Sequence, residues 1–302
     1  MKNQKIVPCL LFSPTGADPK EAVDFYASVF DNFKTKNITY YTKASAAVSG
    51  MPENSVMTVE FEIEGMDFVM LNGPEAKMNP SISFFVNCET EAEVITIWDK
   101  LTQGGKILMS LDKYDYSDKY GWVEDKFGIS WQIMCTPSGD SLSEKDIRPK
   151  IVPNLMFTNE KSGKARKAID FYTSIFDDSK IGFIAMNDKP GAAGTIAFAD
   201  FMIENIWFSV MDNPQKTDFG FNESISFYVN CKDQEEIDYF WKKLIDDGGR
   251  EHVCGWLKDQ FGISWQIVPE NINKLISSPG AMQAMMKMKK IDIQTLKNHG
   301  KR

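Results

Sequence analysis

The sequence predicts an α+β protein made of two tandem units. Each unit is a pair of β-α-β-β-β modules whose strands form a cupped mixed sheet with helices outside. Three observations carry this expectation. First, the stretch YGWVEDKFGISWQIM at 120–134 returns as CGWLKDQFGISWQIV at 254–268, with ten of fifteen positions identical, two tryptophans among them. Second, three more blocks recur in the same order: IVPCLLF (6–12) with IVPNLMF (151–157), AVDFYASVF (22–30) with AIDFYTSIF (168–176), and NPSISFFVNC (79–88) with NESISFYVNC (222–231). A constant order over this distance marks duplication of a whole unit, because solenoid repeats recur every 20–50 residues or so. Third, period-two alternation and helical stripes take turns within each unit.

The elements follow in order. IVPCLLF is a strand, and DPKEAVDFYASVF at 18–30 is a helix with Ala22, Phe25, Tyr26, Val29 and Phe30 on one stripe. SVMTVEFEIEG alternates, with Val56, Thr58, Glu60 and Glu62 on one face and Met57, Val59, Phe61 and Ile63 on the other. MDFVMLNG then returns across Glu64-Gly65, which makes a hairpin. A strand SISFFVN, a helix ETEAEVITIWDKLTQGG and short strands ending in GISWQIM complete the unit. The first unit is therefore 1–135 and the second 151–269, joined by the Pro-, Gly- and Ser-rich linker 136–150. Residues 270–302 are a tail with no counterpart. Four methionines (Met282, Met285, Met286, Met288) and the lysines Lys287, Lys289, Lys290 and Lys297 mark it as an amphipathic helix docking through adaptable side chains.

Composition removes several classes. A formal charge of −8 gives no basic footprint for nucleic acid. No apolar run approaches the roughly 20 residues of a membrane helix, and the N-terminus lacks a secretory cleavage pattern. Five cysteines without a CxxC pair suit reduced thiols in the cytoplasm.

Alternation in GISWQIM sets Ser130 and Gln132 opposite Ile129, Trp131 and Ile133, and in SISFFVN it sets Ser83 and Phe85 opposite Ile82, Phe84 and Val86. With helices over the aliphatic face, the other face becomes a cup carrying aromatic rings and a few polar groups, as small-molecule sites do. The candidate ligand-binding residues are thus Ser83, Phe85, Trp122 and Gln132, with Ser226, Tyr228, Trp256 and Gln266 in the second unit. The competing reading has Ser83 and Gln132 satisfy one another inside a filled barrel, and the tryptophans pack at strand ends. Asp125 and Asp259, just before Phe-Gly, are expected to bond turn amides. Glu60 and Glu62 are expected on a solvated edge. Only His252 and His299 carry imidazoles, at no metal-binding spacing, so metal and Ser-His or Cys-His chemistry lack their material and no catalytic residue is assigned. Cys254, near His252 and Lys258, is expected to be an ordinary thiol. No GxGxxG or GxxxxGK[ST] cradle is present, and no cofactor is expected.

The doubled module order, with IVPNLMF…KAIDFYTSIF, SISFYVNC…EEIDYFWKKLIDDGG and CGWLKDQFGISWQIVP, resembles the vicinal oxygen chelate superfamily of glyoxalase I, bleomycin resistance proteins and extradiol dioxygenases. More closely it resembles the PhnB-like branch, labelled 3-demethylubiquinone-9 3-methyltransferase, over nearly the whole chain, and the Met-rich ending is similar to that branch's tail. The resemblance implies metal ligands near Pro8 and Pro153, near Ser83 and Ser226, and at Gln132 and Gln266. Proline offers no side-chain donor, serine is a poor ligand, and glutamine stands where glutamate is usual, so both units depart from the metal pattern. The methyltransferase label likewise lacks a Gly-rich loop for a methyl donor.

The resemblance further implies that the two units pair within one chain, with pairing to a second copy left open. The second unit lacks about ten residues between its Gly-Gly and its Gly-Trp, where the first carries Tyr114, Tyr116 and Tyr120. That insertion is either a wall of one pocket or a hairpin extension over the sister unit. The expected function is metal-independent binding of a small molecule. The alternatives are a superfamily enzyme (methyltransferase, lyase or dioxygenase) and a partner-binding module.

Overall fold

A computed structural model describes residues 4–12, 18–73, 77–136, 148–188 and 190–300. Most of the expected 136–150 linker lies outside the described residues. Module 1 runs β1 (Ile6–Phe12), α1 (Pro19–Val29), β2 (Phe33–Tyr40), α2 (Lys43–Ser49), β3 (Val56–Ile63) and β4 (Met66–Asn72). Module 2 is β5 (Ile82–Cys88), α3 (Glu91–Leu101), β6 (Lys106–Tyr114), β7 (Ser117–Glu124) and β8 (Ser130–Cys135). Module 3 is β9 (Ile151–Phe157), α4 (Ala165–Ile175), β10 (Lys180–Met186), β11 (Ile196–Ile203) and β12 (Ile206–Asp212). Module 4 is β13 (Ile225–Cys231), α5 (Gln234–Ile245), β14 (Arg250–Glu251), β15 (Trp256–Lys258) and β16 (Ser264–Pro269). The tail holds α6 (Ile272–Leu275), α7 (Pro279–Met285) and α8 (Ile293–His299).

Local chemistry sets the element boundaries. Asp18, Thr90 and Asp233 accept backbone N–H bonds at the starts of α1, α3 and α5. The β3–β4 turn places Glu64 and Gly65 at φ of 50° and 83°, the left-handed pair that a two-residue hairpin requires. The short α2, which strand periodicity does not mark, is opened by a Thr42–Ser45 capping box.

Two eight-stranded mixed sheets result, in the orders β14-β15-β16-β13-β1-β4-β3-β2 and β10-β11-β12-β9-β5-β8-β7-β6. Each module takes its sheet partner from the other unit. Modules 1 and 4 share the first sheet through antiparallel β1–β13, with Cys9 opposite Ser226. Modules 2 and 3 share the second through β5–β9, with Ser83 opposite Asn154. Register is fixed by burial, because a one-residue slip would turn Ile6, Leu10, Ile82 and Phe84 out of the core.

The faces opposite the two cups meet in one core with the helices. Phe68 of the first sheet packs against Phe84 of the second at 5.2 Å between ring centroids, and Phe208 against Phe227 at the same distance. The strongest duplicated blocks are two halves of a single contact in this core. Asp125 accepts from the Phe127 and Ile129 amides at 2.8 and 3.0 Å, from the Tyr26 hydroxyl at 2.7 Å and from the Trp131 indole at 2.9 Å. Asp259 repeats this with Phe261, Ile263, Tyr172 and Trp265. Each aspartate therefore does more than hold its turn: it fastens a helix of one module to a strand of the next. Burial pushes Asp125 up to about 6 against the pull of its four donors, and pushes Asp259 upward as well.

Glu60 and Glu62 are not on a solvated edge. Strand β3 lies between β2 and β4; Glu62 pairs with Lys36 at 2.8 Å, and Glu60 is half-buried on the cup face. Alternation alone could not reveal this, because a charged row on an inner strand and one on an edge read alike.

Candidate functional site

The eight candidate residues divide between two cups. Ser83, Phe85, Trp122 and Gln132 line the second sheet, and Ser226, Tyr228, Trp256 and Gln266 occupy the matching positions on the first. The strands place them by alternation: Gln132 sits between Trp122 of β7 and Phe85 of β5, and Gln266 between Trp256 of β15 and Tyr228 of β13.

In the second sheet these groups are committed to one another. Tyr120 donates its hydroxyl to Oε1 of Gln132 at 2.7 Å, and Nε2 of Gln132 donates to the Ser83 hydroxyl at 2.8 Å. Asn154 donates to the same hydroxyl at 3.3 Å and accepts from Ser209 at 3.0 Å. The Trp122 indole donates to Ser130 at 2.7 Å. Around this network Phe85, Tyr120, Val152 and Trp207 form a buried cluster, joined by Met109, Trp122, Met134 and Met211. The Tyr-rich insertion is the extended β6–β7 hairpin, and it delivers Tyr120 into this cup while Tyr114 and Tyr116 stack beside it.

The first sheet keeps the floor but not the filling. Gln266 donates to Ser226 at 2.9 Å, and the buried Cys9 thiol stands beside Gln266, Ser226 and Tyr228. Where Tyr120 stands in the first unit, the second has Cys254. Above this floor is a cavity of about 620 Å³, walled by Val7, Leu71, Tyr228, Trp256 and Gln266 and roofed from the tail by Ile276, Met282 and Met285.

The tail also takes the strand place that the shortened β14–β15 hairpin leaves open. The Cys254 and Gly255 amides donate to the Met288 and Lys289 carbonyls at 2.7 and 2.8 Å, whereas Tyr120 is paired with Asp112 of β6. The repeated Gly-Trp consequently meets two different needs. A Cβ on Gly121 would come within 2.4 Å of the Trp98 ring, while Gly255 turns at φ +82° beneath Ile291.

Sequence reasoning missed two floor residues, Cys9 and Asn154. The resemblance pointed near Pro8 and Pro153, but those prolines pair with Phe227 and Phe84 on the core face, and the next residue of each strand faces the cup. Period-two alternation counted from Val7 in β1 and from Val152 in β9 would have found them.

The donor set speaks to the metal that the fold implies. Each floor offers a glutamine amide and a serine hydroxyl, with a neutral amide (Asn154) or the Cys9 thiol beside them. Burial pushes that thiol up to about 12, so it stays protonated. Among the described residues no group of three or more His, Cys, Asp or Glu side chains is placed to hold a metal ion. These neutral donors do not fit a divalent cation.

The model of the family described as 3-demethylubiquinone-9 3-methyltransferase matches residues 4–134 and 149–268. Among solved structures, the chain is 34% identical to the PhnB protein from Bacillus cereus, covering 44% of this chain and 100% of that one, with a TM-score of 0.39. It is 10% identical to glyoxalase I from Zea mays, over 88% of this chain and 94% of that one, with a TM-score of 0.53, a likeness of fold. No curated protein matches. Among the described residues no helix is long and apolar enough to cross a membrane.

Proposed function

The chain belongs to the family described as 3-demethylubiquinone-9 3-methyltransferase, and from that premise we propose that it binds one small, mostly apolar molecule in the cup shared by modules 1 and 4, without a metal ion and in the cytoplasm. The observation that carries this reading is the cavity of about 620 Å³ between the floor of Gln266, Tyr228 and Trp256 and the methionines of the tail. That volume and lining are those of small-molecule sites: apolar walls with a few polar groups that fix orientation. The other cup is a structural counterpart, filled by Tyr120 and its neighbours. Methionines in the roof suit a ligand of irregular shape, since unbranched thioether side chains repack readily.

Methyl transfer, the activity in the family's description, makes a different demand. The adenosine of a methyl donor needs partners for its ribose hydroxyls and adenine edge, whereas Gln266 and Ser226 bond to one another and Cys9 adds only a protonated thiol. The floor does not fit that group.

Native mass spectrometry of the protein from its own host, with parallel metal analysis, tests the proposal. One organic adduct per chain, lost when Val7→Phe fills the cavity, is the expected result. A stoichiometric transition metal, or an adduct indifferent to Val7→Phe in a folded variant, would overturn it.

A further inference from the structure

We infer that the cavity selects a cationic ligand, an apolar or aromatic ring carrying an amine, and that Glu60 is the residue that selects it. This rests on the cavity reading above. Glu60 lies on the cup face of β3 and lines the cavity. Among the described residues its one hydrogen bond is to the neutral amide of Asn273, whose Nδ2 donates to Oε1 at 2.8 Å.

The cations in the same wall are already matched. Lys36 is held between Glu62 and Asp67, and Lys258 is paired with Glu223. Among the described residues the wall therefore presents Glu60 without an ion pair and no unpaired lysine or arginine to receive an anion, with His252 and the exposed Glu270 also in the lining.

Placement of the rings points the same way. Tyr228 of β13 and Trp256 of β15 line the same cavity as Glu60. An ammonium group at Glu60 would form a charge-assisted bond to the carboxylate, with the ring that carries it lying in a cavity lined by apolar and aromatic side chains. A ligand carboxylate would meet like charge in a partly desolvated wall, where repulsion is poorly screened. Asn273 comes from α6 in the tail, so the roof marks the spot that a ligand's N–H donor would take.

Matched probes on one ring separate the charge from the shape: tryptamine, neutral 3-ethylindole and anionic indole-3-propionate, titrated calorimetrically, with phenyl and naphthyl sets of the same three groups run beside them. Tryptamine is expected to bind at least tenfold more tightly than both analogues. Glu60→Gln should erase that preference while leaving 3-ethylindole binding and the melting temperature unchanged, and Glu62→Gln should keep it. Equal binding of the three probes, or a preference that survives Glu60→Gln, overturns the inference and leaves the cavity reading standing. If no probe of any ring set binds in a manner blocked by Val7→Phe, both readings fall.

Discussion

Tyr120 of β7 donates a hydrogen bond to Oε1 of Gln132 on the neighbouring strand β8 at 2.7 Å, and its ring helps fill one of two duplicated cups. Its counterpart Cys254 makes no such contact to Gln266; its amide is bonded to the Met288 carbonyl instead. Two copies of one block have thus come to differ in use through a single side chain and the length of the hairpin that carries it.

Removing the filling should expose the kinship of the cups. Tyr120→Cys is expected to lower unfolding free energy by about 3 kcal/mol, since it deletes a buried ring and leaves Gln132 without its donor. Gln132→Ala should cost about 1–3 kcal/mol by stranding the Tyr120 and Ser83 hydroxyls. Neither change should alter probe binding in the other cup, whereas Gln266→Ala should weaken it. Urea titration beside calorimetric binding of 3-ethylindole reads all three.

Cys254 sits at φ 62°, in the left-handed region that a side chain resists. Cys254→Gly is therefore expected to raise stability by about 0.5 kcal/mol, after the entropy of the added glycine is set against the relieved strain. A melting temperature that falls by several degrees would show the thiol to be a needed packing group.

The buried aspartates make stability depend on pH. Asp125 takes up a proton in the folded state at about 6, above its unfolded value of about 3.8. The folded form binds more protons between these values, so stability falls as pH rises from about 4 through about 6, by at most about 3 kcal/mol for this group. Asp125→Asn should flatten that slope. It should also destabilise the protein at pH 4, because an amide cannot satisfy the Tyr26, Trp131 and backbone donors as the carboxyl does. Denaturant midpoints at pH 4, 5, 6 and 7 for both proteins check the sign.

Ile291 and Leu296 are fully buried and anchor the tail, and Gln234 bonds both the Ile291 carbonyl and the Ile293 amide. Ile291→Ala is expected to weaken this docking by about 2–4 kcal/mol. Hydrogen exchange should then speed up across 272–299, and probe dissociation should accelerate with it.

Much of this was legible in residue order. Period-two alternation put Ile82, Phe84, Ile129 and Trp131 in the core and turned Ser83 and Gln132 to the cup, because a strand's side chains have only two directions. Glu60 was misplaced, since an acidic row reads alike on an edge strand and on an inner one. Asn154 and Cys9 were missed by one residue, a distance that in a strand reverses the face.

By itself the sequence determined the duplication, the module order, the helix stripes and the family, all of which rest on local periodicity and recurring blocks. Tertiary structure decided which modules share a sheet, that the DFY and D-x-FGISW blocks meet at Asp125 and Asp259, and which cup stays open. Those outcomes depend on contacts such as Tyr26–Asp125, 99 positions apart, and on where a tail comes to rest. Such long-range packing is settled by shape and burial over the whole chain, and no periodicity records it.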